Sequence, residues 1–124
     1  MRTLAILILS LLTLLSAPAL GADSDKGVTA AKRGDYATAL REWTPLADQR
    51  NAKAQHNLGL MYYKGDGVIQ DYVQAHMWSN IARSNGSSNS EKLLTLLEEL
   101  MTASQISEAQ TAARDCVAKD YKGC

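Results

Sequence analysis

The chain has 124 residues, with 13 basic and 13 acidic side chains and two cysteines. That balance excludes a broad basic face for nucleic acid or an anionic membrane surface. The length suits one domain with a modest core, and no run of like charge is long enough to form a tail.

Arg2 is followed by an almost unbroken apolar run, Leu4–Leu15, and then by small residues over Ser16–Ala22. This order predicts a secretory signal peptide over residues 1–21. Cleavage is expected after Gly21, with Ala19 three positions before the bond, or after Ala19. A membrane anchor would need about 20 apolar residues, and no cysteine follows the run to carry a lipid. The expected product is periplasmic or secreted and spans 22–124. Losing Arg2 leaves 12 basic against 13 acidic residues, a net charge of −1.

Residues 22–51 read as a degenerate repeat. Asp35-Tyr36-x-x-Ala39 recurs as Asp71-Tyr72-x-x-Ala75, an offset of 36 residues, and periods in this range mark helical arrays. Gly34-Asp35 looks like a helix stop and an N-cap. Tyr36, Ala39, Leu40, Trp43, Leu46 and Ala47 form a helical stripe, which Pro45 is expected to kink or shorten. The preceding helix has only residues 25–33, which are short and weakly apolar. The aromatic registers differ, because Trp43 follows Ala39 by four residues and Trp78 follows Ala75 by three.

Residues 52–87 are the most regular stretch. Ala54, Leu58, Met61 and Tyr62 share one helical face. Gly59, in mid-helix, costs about 1 kcal/mol relative to alanine, a cost consistent with close approach of a partner helix. Gly65 and Gly67 end the helix. Asp71 reads as an N-cap and forms a capping-box-like pair with Gln74. Ala75, Trp78 and Ala82 then supply the stripe of a second helix.

The combination Ala54, Leu58, Gly59, Tyr62, Gly65, Gly67, Val68, Asp71, Ala75, Trp78 and Ala82 resembles the Sel-one-like repeat, a branch of the tetratricopeptide-like helical repeats. The resemblance implies an all-α fold of helix hairpins and a protein-binding scaffold instead of a catalyst. In such arrays the first helix of each unit lines the concave side. The candidate binding positions are therefore Lys53, His56, Asn57, Leu60, Tyr63 and Lys64. Tyr63 is the natural anchor, and Lys64 with His56 would favour an acidic partner.

Residues 88–124 read as capping helices with a cysteine-containing tail. Ser88 with Glu91 and Thr102 with Gln105 have capping-box spacing. Leu93, Leu94, Leu96, Leu97, Leu100 and Met101 form a broad apolar face, and Ile106, Ala109, Ala113, Cys116 and Val117 continue at helical spacing. Cys116 and Cys124 invite a disulfide in an exported chain. In one continuous helix they would lie about 12 Å apart, whereas a bridge needs about 7 Å or less. The helix must then end near Ala118–Lys119. A bridge between two chains through Cys124 is the alternative. Family members with cysteines joining the two helices of a repeat differ from this chain, since neither cysteine lies in 54–82.

Catalytic patterns are sparse. His56 and His76 have no ligand at metal-binding spacing, so no metal or cofactor is expected, and His56 is expected on an exposed face. No G-x-S-x-G element occurs. The serine-x-x-lysine signature of β-lactam chemistry, known for some cysteine-rich relatives, is absent too. Glu98 and Glu99 read as a solvated edge. Asn85-Gly86-Ser87 fits a glycosylation sequon. The expected function is a non-catalytic exported adaptor for a protein or peptide partner. A self-associating structural module is the alternative, and a β-lactam-binding or hydrolytic protein ranks behind both.

Overall fold

The computed structural model describes residues 21–124. The signal peptide expected over residues 1–21 lies, save its last residue, outside the described residues. Six helices follow in order: α1 (Ser24–Lys32), α2 (Tyr36–Asp48), α3 (Ala52–Lys64), α4 (Tyr72–Ser84), α5 (Ser90–Leu100) and α6 (Ala103–Ala118). The fold is all-α, with no strand among the described residues.

Side-chain caps set most of the helix starts. Asp35, Asn51 and Asp71 each accept from the amide three residues on, at 3.2, 2.9 and 3.1 Å, satisfying donors that the first turn leaves free. The box at Asp71 is half formed, since the Gln74 side-chain oxygen is buried without a partner among the described residues. Thr102 and Gln105 form a complete capping box. Ser88 and Glu91 do not: α5 starts later, with Asn89 at the cap and no side-chain cap bond, and Glu91 turns to Arg83 at 3.3 Å. Gly65, at φ 73°, closes α3 in the left-handed conformation that a Cβ disfavours.

Pro45 does not shorten α2, which continues to Asp48. Proline removes one amide donor and frees one carbonyl a turn earlier. Here Arg41 and Pro45 are both exposed, so that carbonyl can take water. The Thr44 hydroxyl adds a bond to the Leu40 carbonyl in the same turn, at 2.7 Å.

The helices pair as hairpins, α1 with α2 and α3 with α4, and α2 packs on α3. α4 is the hub and touches α3, α5 and α6. At Gly59 the α3–α4 pair comes very close: a Cβ placed there would stand 2.6 Å from Ser79 Oγ and 3.2 Å from the Ala75 carbonyl oxygen. The first hairpin uses a glycine to seat a side chain. Gly27 on α1 faces Trp43 on α2 so closely that a Cβ at Gly27 would overlap the indole nitrogen. That nitrogen donates to the Ser24 carbonyl at 3.2 Å. At the 36-residue offset Trp43 stands where α4 has Ser79, and Glu42 where α4 has Trp78.

α5 and α6 cover the far side of the α3–α4 pair. Leu93, Leu97, Met101, Ala109 and Ala75 form one apolar cluster, and a second joins Ala113, Cys116 and Tyr121 to Ala54, Leu58 and Trp78. The broad apolar face expected of α5 is only partly used, because Leu96 and Leu100 remain exposed. Val117 on α6 is exposed as well.

Cys116 and Cys124 are disulfide-bonded within the chain, with Cα atoms 5.6 Å apart. The helix ends at Ala118, and Asp120 and Tyr121 adopt positive φ to bring the tail back. Tyr121 is buried there, with the Arg50 guanidinium over its ring at 5.4 Å.

Two outcomes follow for stability. Gly59→Ala gains about 1 kcal/mol of helix propensity but meets an overpacking penalty of about 1–3 kcal/mol. Urea denaturation should show a net loss of about 1 kcal/mol, and a smaller loss in a Ser79→Ala background. A stabilised Gly59→Ala protein would contradict the close approach. Reducing the disulfide releases a loop of eight residues' separation and should lower stability by about 2–3 kcal/mol. The same denaturation with and without reductant measures it, and an unchanged midpoint would contradict a stapling role.

Candidate functional site

The six positions expected on the concave face of α3 do not form one free surface. Lys53 is exposed and pairs with Asp25 at the start of α1, at 3.7 Å. Asn57, Leu60 and Lys64 line a groove of about 410 Å³ between α1 and α3. Val28, Ala31 and Lys32 form the α1 wall, and Tyr36, Trp43 and Met61 lie deeper.

His56 and Tyr63 are engaged in packing. His56 is half-buried, not on an open face, and its Nδ1 hydrogen-bonds Ser90 Oγ at 2.8 Å, tying α3 to α5. Burial holds its imidazole pKa below the ordinary 6.5, because removing water penalises the charged form. Tyr63 stacks on Tyr72, with ring centroids 6.0 Å apart, and packs against the α5–α6 cluster. Its value as an exposed anchor is reduced accordingly.

His76 makes the second polar tie to α5. It is buried in α4, and its Nε2 lies 3.0 Å from Glu98 Oε1. Glu98 is therefore not a plain solvated edge, because its carboxylate caps a buried imidazole. The sequon asparagine is also occupied. Asn85 Nδ2 donates to Gln55 Oε1 at 2.9 Å, and Gln55 Nε2 donates to the Ala47 carbonyl at 3.0 Å. This chain of amides links α2, α3 and the end of α4, and engages the Asn85 side-chain nitrogen in the fold.

Among the described residues, no group of three His, Cys, Asp or Glu side chains could hold a metal ion. No described helix is long and apolar enough to cross a membrane.

The α1 contribution is absent from the sequence-derived set. Residues 25–33 carry little apolar periodicity, so the groove's second wall has no hydrophobic signal. A subtler one exists. Lys32 follows Gly27 by five residues as Lys64 follows Gly59, so aligning the two first helices on these glycines places both lysines together.

Residues 52–87, which contain the α3–α4 hairpin, match the family model of the Sel1 repeat. The chain carries a Sel1 repeat. No curated protein matches it. Sel1 repeats generally mediate protein–protein interaction, a role that uses a helical surface and needs no reacting group.

The half-buried His56 sets a pH dependence. Its folded pKa lies below the unfolded value, so on acidification the unfolded chain takes up a proton that the folded chain resists. The associated stability is complete above about pH 6.5 and is lost as pH falls below it. Urea midpoints at about pH 7.5 and about pH 5.5 should drop more in the wild type than in His56→Gln. Equal drops would show that His56 titrates as a free imidazole.

Proposed function

We propose that this protein is an exported, non-catalytic adaptor that holds a protein partner on the face formed by α1 and α3. The observation that carries this reading is the open groove between two first helices, one of them belonging to a Sel1 repeat. Around it, His56 and Tyr63 are engaged in packing and Lys53 in a surface ion pair, while Asn57, Lys64 and Leu60, which also packs against the α5–α6 cluster, line the groove. Export is supported by the apolar run Leu4–Leu15 with its small-residue exit, and by an intramolecular disulfide, which suits an oxidising compartment.

One observation favours a second reading, self-association. Leu96 and Leu100, four residues apart on α5, are exposed on a helix that another hairpin could cover. A second copy packing there would make the protein a structural module.

Site-specific photo-crosslinking in the native host separates the two. A benzophenone side chain at Lys64 should capture a distinct protein, and one at the exposed Glu108 on α6 should not. Capture from Lys64 of nothing, or only of the chain itself, would sink the adaptor reading. A self-crosslink from Leu100 alone would favour the structural module.

A further inference from the structure

We infer that the α1–α3 groove takes a short acidic peptide stretch bearing apolar side chains. This inference rests on the adaptor reading and specifies its partner. α1 and α3 are each the first helix of a hairpin and run the same way. The Asp25–Lys53 pair at their starts marks one end of the groove as neutralised. Lys32 and Lys64 each occupy the last turn of their helix, so both ammonium groups stand at the other end. Neither forms an ion pair or a side-chain hydrogen bond among the described residues. Asp66 also lies at this end, leaving a net charge of +1 on the groove lining.

Between the two ends the walls are apolar, chiefly Val28 and Leu60. Asn57 completes the α3 wall. Two ammonium groups, opposed by the single Asp66 carboxylate, beside an apolar trough match carboxylates spaced between apolar side chains. The volume, about 410 Å³, falls in the range of small-ligand sites and suits a short extended stretch. Two lysines are too few for a nucleic-acid or membrane surface, which needs a wide field of positive charge.

The test is selection from a randomised peptide library displayed on phage against the purified protein. Synthetic versions of the selected peptides are then titrated by fluorescence polarisation. Selected peptides should be net acidic, carry apolar residues, and bind more weakly as salt shortens the screening length. The Lys32→Glu, Lys64→Glu variant should bind them about tenfold more weakly or worse. Both lysines are exposed, and unpaired among the described residues, so the variant should keep its helical circular dichroism. Single Lys32→Gln and Lys64→Gln proteins give the same readout with less perturbation and should show intermediate losses. Neutral or basic selected peptides, failure to select any, or undiminished binding by the variants would overturn the inference. Anionic vesicles that displace the peptide with the same lysine dependence would overturn it in favour of a lipid surface. The adaptor reading fails separately, on the absence of a partner crosslinked from Lys64.

Discussion

The close approach of α3 to α4 is the constraint on which the rest of the molecule is built. Two helices can meet this tightly only where one lacks a side chain and the other offers small ones. Gly59 supplies the gap, and Ala75 and Ser79 fill it. With the pair closed, the opposite face of α4 is free to carry α5 and α6, and α2 can pack on α3. The first hairpin uses its glycine differently: an indole lies over Gly27, so a large side chain and not the opposing backbone fills the gap.

The packed pair of hairpins has two open ends, and each is closed in its own way. At the far end α5 and α6 contribute leucines and small residues, and two histidines reach α5 through Ser90 and Glu98. The tail is fixed by the Cys116–Cys124 bridge, with Tyr121 tucked below Arg50. Repeat arrays commonly need about three units for stability, and these helices and the bridge stand in for the missing ones. At the near end α1 is short, and its side of α3 stays partly open, which leaves the groove.

The second hairpin is legible in the sequence because its signals are local. Glycine in mid-helix, paired glycines in the loop and Asp71 at the cap each carry a backbone reason visible residue by residue. The ending of α6 is legible from the distance limit between two cysteines. Less visible is anything that depends on which of two competing contacts a side chain makes. Ser88 and Glu91 have capping spacing, but Glu91 finds Arg83. His56, Tyr63 and Glu98 would face solvent on an isolated hairpin, and only the arrival of α5 engages them. Pro45 has the chemistry of a helix stop, yet its side of α2 faces water, where one unmet carbonyl is cheap. The groove needs α1, whose weak apolar pattern gives no cue to its partner.

Native-state hydrogen exchange tests the central claim most directly. If the glycine-mediated contact of α3 with α4 is the foundation, amides facing that contact, around Leu58–Tyr62 and Ala75–Ser79, should exchange slowest, opening only with global unfolding. Those of α1 and the outer turns of α5 should open earlier. Slower exchange in α5 and α6 than in the α3–α4 pair would contradict the account, and would make the capping helices the true core.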